Sequence, residues 1–280
     1  MSGEEPQTEL LILGASDPDQ AEAEVGGGSV VAMTCKDPEK DTSNEDTVGI
    51  IPYGPEAVVL VIADGAGGLP AGKQASLTAV TTLAASLQTS VERTVLLRTA
   101  ILNGIDAANE AVIALGNGSA TTMTVVTIEG LVARAYQIGD SEALVVGQGG
   151  MLRMQTTAHS PTGFAVEAGF LDHREALHHE ERHLVSNFLG TSDMRIDMGA
   201  AVELRPRDTV LLASDGLTDN VHLDEIIERI RKGALAEGAR AVTSLARHRM
   251  ANGDSKQPSK PDDLSLILFR KPDSARMIVD

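Results

Sequence analysis

Residues 58–68 read VVLVIADGAGG. Val58 to Ala63 is an unbroken apolar run rich in β-branched side chains, stopped by Asp64, Gly65, Ala66, Gly67 and Gly68. Such a run predicts a buried strand that feeds a glycine loop, with a carboxylate at the junction. Two other runs repeat the arrangement. Thr209 to Ala213 ends at Ser214-Asp215-Gly216, and Leu264 to Phe269 is preceded by Asp262 and Asp263. Carboxylates at strand–loop junctions can converge at one end of a sheet, and Asn44-Glu45-Asp46 and Gly139-Asp140-Ser141 offer further acids of the same kind. Like charges within a few ångströms oppose ionisation, so such a set is expected to hold hard cations, and oxygen ligands suit Mg2+ or Mn2+.

Outward from these junctions, Val30 to Thr34 reads as a strand and Lys36 to Asp46 as a polar turn. From Gly72 to about Leu115 the chain is rich in Ala, Leu, Thr and Val without proline, which predicts two long helices broken near Gln88 to Glu92. Strands are expected at Met123 to Ile128, Val132 to Ile138 and Ala143 to Val146. Their connecting turns are too short for helical crossovers, so an antiparallel meander is expected. Residues 155–200 are expected to supply a cover, with a turn at Ser160-Pro161-Thr162-Gly163 and a helix from His173 to Leu184. Leu223 to Arg231 and Ala234 to Met250 read as helices, followed by a polar linker from Ala251 to Pro261. Strands, a helical pair, more strands, helices and a closing strand favour a layered α+β domain over a regular βαβ repeat.

Composition narrows the function classes. A chain of 280 residues with 42% apolar content builds a core without disulfides, as one substantial domain or two small ones. Its formal charge of -17 gives an average field that repels DNA, RNA and anionic lipid. Four Phe, two Tyr and no Trp provide no stacking platform for single strands. No apolar stretch approaches the roughly 20 residues needed to span a bilayer. Neither a nucleic-acid nor a membrane partner is therefore expected. The single cysteine, Cys35, cannot form an intrachain bridge, and the chain begins without a basic region followed by a long apolar run, so a cytoplasmic location is expected. His178, His179 and His183 read as a polar helix face, because adjacent histidines point to different sides and no well-spaced further ligand accompanies them. Gly65-Ala66-Gly67-Gly68 has neither the dinucleotide-binding spacing nor the Lys-Ser or Lys-Thr pair of a P-loop.

The ordered series Asn44-Glu45-Asp46, Asp64-Gly65-Ala66-Gly67-Gly68, Ala71-Gly72, Ala75-Ser76, Thr121-Thr122, Gly139-Asp140-Ser141, Ser214-Asp215-Gly216-Leu217 and Asp262-Asp263 resembles the metal-dependent PPM, or PP2C-like, protein phosphatases. The resemblance covers residues 28–270, leaving 1–27 as an acidic tail or edge strand and 271–280 as a C-terminal tail. It implies a four-layer αββα sandwich of two antiparallel sheets flanked by helix pairs. It also implies two divalent cations, Mn2+ or Mg2+, and hydrolysis of phosphoserine or phosphothreonine in proteins by a metal-activated bridging water. By the same resemblance Asp64 bridges the two cations, Glu45 and the carbonyl oxygen of Gly65 complete one site, and Asp215 and Asp262 serve the other. Asp263 then takes the place of the usual Asn, Asp46 holds metal-bound water, and Asp140 with Asp215 binds a third, weaker metal in bacterial-type members. Residues 163–190 resemble the family's flap.

Two departures accompany the resemblance. The family's phosphate-gripping Arg, four residues before Glu45, is Asp41 here, which leaves Lys40 or Lys36 as substitutes without the planar fork of a guanidinium. The position of a family His that helps protonate the leaving group is Ala66, so metal-bound water is the expected donor. Asp41 also motivates an alternative, a weak or inactive PPM-fold protein that binds or regulates a phosphorylated partner, and a third class is hydrolysis of small phosphate monoesters. The sequence is compatible with a monomer and fixes no oligomeric state.

Overall fold

The apolar run at 58–63 becomes the strand β5 (Ala57–Ala63), all seven residues of which are buried. Alternate side chains leave a strand in opposite directions. Val59, Val61 and Ala63 enter an apolar cluster shared with two helices, whereas Val58, Leu60 and Ile62 enter a second cluster shared with the opposing sheet. Burial on both faces is why the run shows no apolar–polar alternation.

A computed structural model describes residues 10–14, 17–66, 71–253 and 257–272; Gly67 and Gly68 of the glycine loop lie outside the described residues. One antiparallel sheet runs β1 (Leu11–Leu13), β4 (Thr47–Tyr53), β5, β8 (Met123–Glu129), β9 (Val132–Ile138) and β12 (Asp197–Met198), with β13 (Val202–Glu203) also paired to β9. The second runs β11 (Leu152–Gln155), β10 (Glu142–Val146), β14 (Thr209–Ala213), β15 (Leu264–Arg270), β3 (Gly28–Cys35) and β2 (Asp19–Val25). A two-stranded pair joins β6 (Gly65–Ala66) to β7 (Ala120–Thr121). Helices α1 (Ala71–Glu92) and α2 (Leu97–Ile113) cover the first sheet. The second is covered by α5 (Asp215–Thr218), α6 (Leu223–Ile230) and α7 (Leu235–Ala251). The architecture is a four-layer αββα sandwich, with one apolar cluster between the sheets and one beneath each helical layer. The acidic N-terminal segment contributes the edge strands β1 and β2, one to each sheet.

Three local features differ from the sequence reading. Helix α1 runs through Gln88 to Glu92, and the break falls at residues 93–96. There Thr94 N–H donates to Val91 O and Val95 N–H to Ser90 O, both at 3.0 Å, while Thr94 adopts φ 54°. These bonds and a left-handed residue close a helix in the manner usually marked by glycine, and a threonine gives no such sign. The expected three-strand meander is a hairpin of β8 and β9 only. Gly139, at φ 95° with Thr122 packed against its Cα, carries the chain across to the other sheet, where β10 pairs with β14 and β11.

The cover over 155–200 differs as well. Ser160-Pro161 starts the helix α3 (Pro161–Glu167) rather than a turn, the Ser160 hydroxyl accepting from Gly163 N–H at 2.9 Å. The expected helix from His173 to Leu184 shrinks to α4 (His173–Ala176), because the mostly polar residues after Leu177 have little apolar surface to bury.

Thr94→Gly is expected to raise stability by about 0.5–1 kcal/mol, since relief of a β-branched residue at positive φ outweighs the added freedom of the unfolded chain. A urea midpoint at or below that of the parent would contradict this account of the α1 terminus.

Candidate metal centre

Antiparallel pairing delivers the acids to one end of the sandwich. Thr47 pairs with Ala63, Met123 with Ile138, and Ala213 with Leu266. Glu45 and Asp46 before β4, Asp64 after β5, Asp140 after β9, Asp215 after β14, and Asp262 and Asp263 before β15 therefore share that end.

Backbone-directed hydroxyls fix the strand ends. Thr122 Oγ1 accepts from Asp64 N–H at 3.0 Å, and Thr121 Oγ1 donates to Asp64 O at 2.7 Å. Asn44 accepts from Asp46 N–H (2.9 Å) and donates to Thr34 Oγ1 (2.7 Å), tying the loop to β3. Ser76 on α1 donates to Glu45 O at 2.5 Å. Ser214 Oγ donates to Asp46 Oδ2 (2.9 Å) and accepts from Ser265 N–H (2.9 Å), which is a structural role for that serine. Asp263, 3% exposed, accepts from the N–H groups of Asp37 and Glu45, both at 2.8 Å. It acts as the buckle between β15 and the Glu45 loop.

The remaining carboxylates face one another. Burial first, then the charges of Asp46, Asp215, Asp262 and Asp140, hold the Asp64 carboxyl well above the usual carboxylate range. Burial and Asp215 do the same to Asp140. Asp46 is pushed up to about 8 by burial and by Asp263, and Asp219 to about 6 by burial and by Asp215.

Several oxygens in this set lack a partner. Glu45 Oε1, Asp46 Oδ1 and Asp215 Oδ1 are buried and accept no hydrogen bond. Glu45 Oε1 and Gly65 O both approach Gly72: a Cβ there would overlap the first and stand 2.6 Å from the second. Only glycine leaves that cradle open. Unpartnered carboxylate oxygens and a backbone carbonyl are the donor chemistry that a hard divalent cation takes, and at Gly72 two of them meet.

Two lysines enter the same region. Lys40 Nζ donates to Glu45 Oε2 and, at 2.8 Å, to Asp263 Oδ2. Burial disfavours its charge, but these bonds outweigh that cost and raise its pKa. Lys260 Nζ donates to Asp215 Oδ2 and lies 3.0 Å from Asp219 Oδ2 and 3.3 Å from Asp262 Oδ2. Among the described residues, no three of His, Cys, Asp and Glu are drawn together tightly enough to enclose a metal ion. Lys36 contributes through its backbone, its N–H donating to Asp17 Oδ1 at 2.8 Å, and Asp41 is exposed.

The sequence profile of protein phosphatase 2C matches residues 38–260. This chain belongs to the protein phosphatase 2C family. It is a metal-dependent serine/threonine protein phosphatase. Protein phosphatase PhpP of Streptococcus pneumoniae is 30% identical over 195 residues, covering 67% of this chain and 78% of its own. The crystal structure of the serine/threonine phosphatase PstP/Ppp of Mycobacterium tuberculosis superposes with a TM-score of 0.72 at 25% identity, covering 87% of this chain and 98% of that one. A structure of the PstP catalytic domain in complex with two manganese ions has a TM-score of 0.68 at 23% identity, covering 95% and 100%. Divalent metal is thus bound within the fold family, and among the described residues of this phosphatase no helix is long and apolar enough to cross a membrane.

Three residues of the phosphatase site were not singled out from sequence. Asp219 follows Asp215 by one helical turn, its N–H donating to Asp215 O at 2.7 Å, and that i, i+4 spacing was the available signal. Lys260 sits in a stretch read as a polar linker. His159, 3% exposed, accepts at Nδ1 from Gly139 N–H (3.2 Å) and bonds Asn187 (2.8 Å), bracing the turn that carries Asp140. Contacts between such distant segments leave no local pattern.

Carboxyls with raised pKa values bind protons more tightly in the folded chain than in the unfolded one, so their contribution to stability is present at low pH and lost as pH rises through the folded values. The metal-free phosphatase is therefore expected to melt several degrees lower at pH 8.5 than at pH 6, at about 2–4 °C per kcal/mol. Saturating Mn2+ should flatten or reverse the trend, and Asp64→Asn should weaken it. A metal-free melting temperature that rises across this interval would contradict the clustering of buried acids.

Proposed function

We propose that Glu45, Asp64 and the Gly65 carbonyl hold one divalent cation and that Asp64, Asp215 and Asp262 hold a second, either Mn2+ or Mg2+. The observation that carries this reading is the open cradle at Gly72, where the unpartnered Glu45 Oε1 and Gly65 O converge. When bound, the two cations supply Lewis acidity and an acidified water for in-line attack on a phosphoserine or phosphothreonine monoester.

The chain's own groups do the remaining work. Asp64, its backbone held by Thr121 and Thr122, would serve both cation positions. Asp46, with Oδ2 fixed by Ser214 and Oδ1 unpartnered, orients the attacking water and accepts its hydrogen bond. Asp140 with Asp215 offers a further, weaker cation position. Lys40 takes the role of the missing arginine: an ammonium has three N–H donors, two serve Glu45 and Asp263, and the third remains for a phosphate oxygen. Lys36, whose N–H donates to Asp17 Oδ1, is the other candidate for this role.

A cavity of about 290 Å3 adjoins the acids. Asp140, Asp215 and Asp219 form one wall, and Val166 and Leu177 of the 163–190 flap form another. In this reading the cavity receives residues that flank the phosphorylated side chain of a phosphoprotein. A cytoplasmic location belongs to the same proposal; Cys35 is buried and free, as a reducing compartment allows.

Initial rates on a phosphothreonine peptide with Mn2+, Mg2+ or EDTA test the assignment. Asp64→Asn is expected to lower turnover by about 100-fold or more with the fold retained, since it weakens both cation positions without changing volume. Near-parental turnover in that variant would remove Asp64 from the centre. Lys40→Ala is expected to raise KM several-fold more than it lowers kcat, and unchanged kinetics would leave the phosphate without this lysine.

A further inference from the structure

Lys260 lies on a segment without regular secondary structure, yet its backbone is clamped. Its N–H donates to Asn220 Oδ1 at 2.7 Å, and Asn220 Nδ2 donates to its carbonyl at 2.8 Å and to Gly216 O at 2.9 Å. Asn220 is 0% exposed, so the start of the Lys260 side chain is fixed beside the acidic end of the sandwich. From there the ammonium meets Asp215, Asp219 and Asp262 at once. Asp215 and Asp262 are the residues assigned to the second cation under the proposed function, and this inference rests on that assignment.

Asp262 Oδ1 already accepts from Asp263 N–H at 3.0 Å and its Oδ2 faces the ammonium, so an ammonium and a divalent cation contend for that oxygen and repel each other across Asp215. Asp215 Oδ1 remains unpartnered even with Lys260 in place, so one positive charge leaves the site under-neutralised. We propose that Lys260 is a tethered competitor for the second divalent cation. Its ammonium neutralises Asp215 and Asp262 in the metal-free protein and has to leave them before the ion binds. Lys260 meets two carboxylates of that position whereas Lys40 meets only Glu45 of the other, so the Asp215–Asp262 position is the weaker of the two and its loading follows the free concentration of metal. The clamp on Asn220 confines the movement to the side chain, which has four rotatable carbons between the fixed backbone and the charge.

Mn2+ titration of metal-stripped protein, by calorimetry and by the electron paramagnetic resonance signal of free Mn2+, reads this without recourse to activity. Lys260→Met is expected to bind the weaker Mn2+ equivalent about tenfold or more tightly, while Lys260→Arg, which keeps the charge, stays near the parent. Lys260→Gln serves the same purpose if the Met variant does not fold in metal-free buffer. In the parent itself, saturating Mn2+ should speed labelling of Lys260 by an amine-reactive reagent, followed by peptide mass spectrometry, because the displaced ammonium loses its carboxylate partners. Unchanged or weaker Mn2+ binding in the neutral variants, or labelling that Mn2+ leaves unchanged or slows, overturns the proposal. Asp215→Asn separates the two levels of the argument. Loss of the weaker equivalent in that variant, with no gain in Lys260→Met, removes the competitor and keeps the site; two parental equivalents in Asp215→Asn remove the site assignment and the competitor with it.

Discussion

Buried carboxylates repel one another, and holding Asp46, Asp64, Asp140, Asp215 and Asp262 at one end of two sheets raises the free energy of the metal-free chain. A frame that tolerates such a site needs cohesion elsewhere. The apolar cluster between the sheets and the two clusters beneath the helices supply it, and β5 takes part in two of the three. The strand that delivers Asp64 is therefore among the most firmly held parts of the molecule.

Precision at the site comes from small polar side chains rather than from the acids themselves. Thr121 and Thr122 hold Asp64, Ser214 spans Asp46 and β15, and Asp263 fastens the Glu45 loop by two backbone N–H groups. These bonds leave selected carboxylate oxygens unpartnered, the oxygens proposed to face the cations. Gly65 and Gly72 serve the same end by letting two backbones meet where any side chain would fill the cradle.

Positive charge at the acidic end comes from lysines that are paired with carboxylates. Asp41 stands exposed where the resemblance places an arginine, and among the described residues Lys40 and Lys260 are paired with the acids. Lys40 joins the loop preceding β4 to Asp263, whereas Lys260 belongs to the approach to β15. Each lysine neutralises a different side of the centre. Under the proposed assignments, metal loading and phosphate binding both depend on side chains that already have carboxylate partners.

The strands buried on both faces were legible in the amino-acid sequence, because an unbroken apolar run bordered by acids marks a buried strand rather than a half-exposed one. The sequence also determined which acids stand at strand ends, and the ordered series of motifs implied the four-layer sandwich. It did not determine where α1 stops, since Thr94 takes a left-handed conformation that its side chain disfavours, or that β10 leaves β9 for the opposite sheet at Gly139. Lys260 is the sharpest case. As a sequence it is a lysine in a polar linker; its place among three carboxylates depends on Asn220, 40 residues away in the chain, gripping its peptide on both sides. Periodicity and local motifs report which faces are buried and where strands end. Only tertiary packing decides which distant charges meet, because that depends on how the two sheets and their connecting loops close over one another.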